Sequence, residues 1–146
     1  MRSCDGCTEC CKGYVSGYVR NKPFYAGHAC HYMGEKGCTI YKDRPHDPCV
    51  AFKCGWLLEE ELFPEWFKPS VSKVLIVKLK TDRSKIDFYR IVECGQKLDA
   101  MYLNYLFLCF LNKKINIQVY MLGGVTNYGS PEFLEDIKHN FFQDPK

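Results

Sequence analysis

CDGCTECC, residues 4–11, sets four cysteines within eight positions, the last two adjacent. Three chemistries crowd thiols in this way: a disulfide framework, a redox-active CxxC pair, or a metal or iron–sulfur ligand set. Working outward, the cysteines continue at Cys30, Cys38, Cys49 and Cys54. Only Cys94 and Cys109, both in apolar surroundings, fall beyond that point.

The rest of the chain decides between these chemistries. A length of 146 residues suits one domain with a real core, and 47% hydrophobic with 25% charged residues argues against disorder. The opening MRSCDGCTEC has no apolar run behind its arginine, so no secretory leader is read. The longest apolar stretch, residues 100–111, is interrupted by Asn104 and is too short to span a bilayer. The expectation is a cytoplasmic protein without a membrane span, where cysteines stay reduced and bind metal more often than they cross-link.

Disulfides fit poorly with that compartment and with a second half able to make its own core. A thioredoxin-like pair needs two cysteines, not eight, and no strand precedes Cys4–Cys7 or Cys7–Cys10 to open a βαβ unit. Metal chelation explains more of the pattern, because a CxxC turn lets two thiolates converge on one ion at about 2.3 Å. Neighbouring side chains diverge, so Cys10 and Cys11 are expected to serve different centres, or one of them to bridge two ions. The spacing places Cys4, Cys7 and Cys10 on one centre and Cys11 with later cysteines on another. Tetrahedral thiolates suit zinc and iron–sulfur alike. CxxCxxC with a distant fourth cysteine is also an iron–sulfur pattern, although Pro48 precedes Cys49 where the usual proline follows. The cofactor expectation is therefore two zinc ions, or a [4Fe-4S] cluster with or without zinc. Eight thiolates would subtract eight charges and two divalent ions restore four, turning the formal +3 into −1. Basicity then says little about nucleic acid.

Composition divides the single domain, 1–146, at about residue 62. The cysteine-rich half, 1–62, is full of turn formers such as Gly6, Gly13, Gly17, Gly27, Gly34 and Gly37, with few periodic stretches of its own. WLLEEEL, residues 56–62, predicts a short helix with a solvated acidic face at Glu59–Glu61. In the second half, 63–146, SVSKVLIVKLK and IDFYRIVEC flank TDRS and predict an antiparallel hairpin, its centre Val74–Val77 buried on both faces. Leu98, Met101, Tyr102, Tyr105 and Cys109 recur at helical spacing over 96–111. INIQVYM alternates as a strand with one wet side, GGVTNYG follows as a loop or short edge, and Ser130–Pro131 opens a final helix. The expected fold is α+β: a metal-bound, cysteine-rich N-terminal half packed on a small antiparallel sheet with helices. Trp56, Phe63, Trp66 and Phe67 are the expected core beneath the metal-bound turns.

CDGCTECC together with GCTIYKDRPHDPCVAFKCGW resembles the YkgJ-type cysteine-cluster family of zinc- or iron-chelating domains. That family shows CxxCxxCC, a lone cysteine, a GCxIYxxRP run with a cysteine after it, and a closing C-x-W. Here the matching positions are Cys4, Cys7, Cys10, Cys11, Cys30, Gly37, Cys38, Ile40, Tyr41, Arg44, Pro45, Cys49, Cys54 and Trp56, and the resemblance stops near residue 56. It implies metal binding far more than any reaction. A similar cluster accompanies flagellin lysine methylases, where an iron–sulfur centre sits beside methyl transfer, but MLGGVTNYG lacks the helix-opening context of a methyl-donor loop.

Around the ligands, His28, His31 and His46 are candidates to replace a thiolate or support one from behind, against a plain loop reading. Arg44 is a candidate donor to sulfur, against a structural turn. Lys73, Lys78, Lys80, Arg83, Lys85 and Arg90 form a basic run that reads as a nucleic-acid surface or, more simply, as a solvated face guarding a strand edge. No Ser–His–Asp order, carboxylate pair or phosphate loop stands out. The functional expectation is a metal-binding protein with a mainly structural metal held by eight thiolates, and no residue pattern carries a catalytic claim. An iron–sulfur redox or methyl-transfer accessory, and a nucleic-acid or protein-binding module on a zinc scaffold, are the alternatives. Partners cannot be read from the sequence.

Overall fold

The apolar β-branched run Val74–Lys80 forms strand β5 and pairs antiparallel with β6, Asp87–Glu93, in register from Val74 opposite Glu93 to Lys80 opposite Asp87. The fold is known from a computed structural model that describes residues 2–3, 7–25, 27–121 and 124–140. Ahead of this hairpin lie two small antiparallel pairs: β1, Gly17–Val19, with β2, Lys22–Phe24, and β3, Met33–Gly34, with β4, Gly37–Cys38. One-turn helices α1, Gly55–Leu58, and α2, Pro69–Ser72, lead into β5. After β6 come helix α3, Ala100–Lys113, strands β7, Ile117–Met121, and β8, Gly124–Tyr128, and helix α4, Pro131–Ile137.

The expected α+β class is the one observed, and the main sheet has the order β5-β6-β7-β8. Its β6–β7 pair is parallel, so the sheet is mixed. A parallel neighbour needs a crossover, and α3 supplies it. Because side chains alternate along a strand, β5 has two duties. Val74 and Ile76 face the main core, with Trp56, Phe63, Phe67, Tyr89, Ile91, Tyr102, Leu106 and Ile117, while Leu75 faces the other way. On that other side Phe88 packs with Phe133 and Ile137 of α4. Residues from both sides of position 62 share the main core.

Several local expectations are refined. Helix α3 starts at Ala100, not at residue 96, because the Asp99 carboxylate accepts from the Met101 N–H and caps it. Met101 points outward, and Leu106 replaces it at the centre of the buried stripe. The strand expected to have a wet side has none at Gln118, which is fully buried: it accepts from Arg90 Nε at 2.9 Å and donates to Asn127 at 3.0 Å. GGVTNYG supplies the edge strand β8. The helix at 56–62 is only one turn long. Glu59, at its end, is not a free solvated face: it takes Lys78 at 2.7 Å and the Tyr89 hydroxyl at 3.1 Å. Trp56, Phe63 and Phe67 are buried as expected, whereas Trp66 lies partly exposed against Tyr102 and Tyr105. Among the described residues, no helix is long and apolar enough to cross a membrane.

The junction between the two halves is tight. A Cβ placed on Gly55 would stand 2.5 Å from Ile76 Cγ2 and 3.4 Å from the Ile76 carbonyl oxygen, so α1 lies directly on β5. Gly55→Ala is expected to destabilise the protein by about 1–3 kcal/mol through overpacking, despite alanine's better helix propensity. Denaturant midpoints of the two proteins measure this, and an unchanged midpoint would contradict the tight junction.

Candidate functional site

The first turn, Glu9–Lys12, presents Cys10 and Cys11 from consecutive positions, with the Cys11 and Lys12 N–H groups both bonding to the Thr8 carbonyl. Gly13 ends it at φ 100°, a left-handed conformation that glycine adopts without strain. Glu9 holds the turn in place. Its buried carboxylate accepts from Lys12 at 3.1 Å and from Lys73, at the start of β5, at 2.9 Å. Arg2 stacks on the Trp56 ring and donates to the Trp56 carbonyl at 2.6 Å.

Each later cysteine comes from a different short element. The Cys30 N–H bonds to the Cys11 carbonyl at 2.7 Å, and Cys38 stands opposite Met33 in the β3–β4 pair. Cys49 lies in the turn His46–Val50, which lies beside β1. Cys54 leads into α1, its carbonyl accepting from Leu57 and Leu58.

These elements bring Cys7, Cys10, Cys11, Cys30, Cys38, Cys49 and Cys54 to the wall of one cavity of about 240 Å³. The eighth expected ligand, Cys4, lies outside the described residues. Apolar side chains fill the wall between the thiols, among them Val19, Phe24, Phe52, Leu57 and Leu75, and its cations are Lys36 and Arg44. The thiols ring the space without closing on a point: among the described residues, no three His, Cys, Asp or Glu side chains already meet at the spacing of a single-ion ligand set. All the described cysteines are free thiols.

Charge is distributed unevenly around the ring. Cys10 and Cys11 have their Sγ atoms 4.0 Å apart. That contact, then burial and the nearby Cys7 and Cys54, push the ionisation of Cys10 up. Cys11 is lowered to about 7 by accepting from Cys10, with Arg44 adding to the effect. Burial, then the nearby Cys11, Cys30 and Cys38, raises Cys49. Cys94, outside the cavity wall, is pushed up to about 12 by burial and by the Glu9 carboxylate.

Of the four supporting candidates, Arg44 lines the cavity and the histidines do not. Arg44 stacks on Tyr41, its guanidinium carbon 3.9 Å from the ring centre, and donates from Nε to the Tyr41 carbonyl. His28 stacks on Tyr25, His31 stands edge-on to Tyr32 beside Lys22, and His46 opens the 46–50 turn. The basic run is largely engaged: Lys73 with Glu9, Lys78 with Glu59, Lys80 with Asp87, and Arg90 with Gln118 and the Tyr120 ring. The sequence reading missed Glu9 and the apolar wall. A glutamate between cysteines reads locally as exposed, and its partner Lys73 is 64 positions away. Compared with known proteins, the chain matches no family model, no curated protein and no solved structure.

Glu9→Gln removes the charge that holds both lysines. Because those lysines are partly solvated, the expected loss is about 1–2 kcal/mol. Lys73→Met, which leaves the Lys12 contact intact, is expected to cost less. Denaturant midpoints of the three proteins test that order.

Proposed function

We propose that the protein is a metal chelator that holds zinc or an iron–sulfur cluster through its N-terminal cysteines, and that the metal is chiefly structural. One observation carries this reading: seven cysteines, separated by up to 47 positions, line one cavity. Soft thiolates select zinc, copper(I) or iron–sulfur centres and not calcium or magnesium, and among the described residues no carboxylate lines the wall to favour a hard cation. The volume is several times the roughly 30 Å³ that one water occupies in the liquid, which suits more than one ion or a polynuclear cluster. Cys4 joins the set on its CxxC spacing alone. The resemblance to the YkgJ-type cysteine clusters points the same way.

A structural role follows from how little else orders this half. Its strands are two or three residues long. Thiolates that fill every coordination position leave none for a substrate or water.

Full-length protein purified without oxygen is expected to carry near-stoichiometric zinc or iron by elemental analysis. Brown colour with acid-labile sulfide identifies the cluster, and colourless protein with two zinc ions identifies the closed sites. Protein holding neither zinc nor iron refutes the proposal. Stripping the metal is further expected to abolish amide protection over residues 7–54 while β5–β7 stay protected. Hydrogen exchange reads the contrast, and unchanged protection over 7–54 would rule out a structural metal.

A further inference from the structure

Helix α3 buries one side against the sheet and keeps an apolar surface on the other. Tyr102, Leu106 and Cys109 face the main core. On the opposite side Met101, Leu108 and Leu111 leave 54%, 56% and 69% of their surface to solvent. From Ala100 to Asn112 the helix has no charged residue. A helix that is apolar all round is the pattern of one covered on both sides. A solvated outer face carries charge instead, as α4 does at its exposed Glu132 and Glu135. α4 itself packs on the other side of the sheet, so the described residues leave this face of α3 open.

The open positions repeat. Met101, Asn104, Leu108 and Leu111 stand three, four and three residues apart, the spacing of the seam between two packed helices. Turned end for end, this stripe complements itself. Met101 then meets Leu111 of a second copy and Asn104 meets its Leu108, each contact occurring twice, as a two-fold axis requires. The ends of the helix select that direction. Glu93 and Asp99, against Lys97, make the N-terminal end acidic, whereas Lys113 and Lys114 make the C-terminal end basic. Antiparallel packing brings unlike ends together and opposes the helix dipoles; parallel packing sets lysines beside lysines.

We infer that the outer face of α3 is the interface of a homodimer, in which α3 packs antiparallel on α3 of a second copy about a two-fold axis at the level of Leu106. The inference is independent of what the cysteine cavity holds. A seam on a helix of 14 residues, about 21 Å long, is smaller than the roughly 800 Å² per partner of a standard interface. The dimer is therefore reversible and comes apart on dilution into the micromolar range.

Sedimentation equilibrium from micromolar to near-millimolar concentration tests this on full-length protein, purified without oxygen and kept under reductant so that its free thiols cannot link copies. Wild type is expected to pass from the mass of one chain to that of two. Leu108→Glu and, separately, Met101→Glu put a carboxylate into the seam and should each raise the dissociation constant about tenfold or more. Both positions are exposed in the single chain, so thermal unfolding of the variants at low concentration should stay close to that of wild type. The joint change Lys113→Glu and Lys114→Glu should also weaken the pair, by setting acidic ends together. A chain that stays monomeric throughout overturns the inference, and so does a dimer that neither carboxylate disturbs. A dimer tightened by the joint lysine change overturns the antiparallel arrangement. A monomer that instead pellets with vesicles of phosphatidylcholine and phosphatidylserine gives the face to a lipid surface and overturns the dimer equally.

Discussion

Seven thiols facing one another across an apolar cavity cannot all ionise unaided. Each thiolate would lose its hydration and meet like charges from its neighbours, and among the described residues the wall offers only Lys36 and Arg44 against them. In the Cys10–Cys11 pair the contact raises one thiol's ionisation and lowers the other's, so the two do not ionise together. The soft cation proposed above would resolve the conflict by replacing the protons at once.

The load passes to the rest of the molecule through β5. Val74 and Ile76 sit in the core beneath α3, while Leu75 between them lines the cavity, so a single strand is a wall of both. Gly55 keeps α1 against the same strand, and the Glu9–Lys73 pair ties the first turn to its beginning. Movement among the thiols is therefore felt in the core at Ile76, and a well-packed core resists it.

Signals confined to neighbouring residues were readable from the chain. The β5–β6 hairpin follows from β-branched runs around TDRS, the last helix from Ser130–Pro131, and the convergence of thiols from the CxxCxxCC spacing. Features decided by distant partners were not. The buried state of Gln118 depends on Arg90 and Asn127 in neighbouring strands, and the parallel β6–β7 pair depends on how α3 crosses over. Helix α3 was extended too early because Leu98 shares its apolar spacing, whereas the cap at Asp99 decides where helical hydrogen bonding begins. The histidines were attractive for their residue type alone, and tyrosines and Lys22 engage two of them instead.

Cys94 shows that position, not residue type, sets the protonation of a thiol in this fold. It lies close enough to Cys7 for their charges to interact, yet it is buried beside β5 and faces the Glu9 carboxylate. Both influences favour the neutral thiol and hold it protonated well above neutral pH. Cys11 is likewise partly buried, but it accepts a hydrogen bond from Cys10 and has Arg44 nearby, and both favour the thiolate. The carboxylate that clamps the cysteine-bearing turn onto the sheet thus adds to the burial that favours the neutral Cys94 thiol.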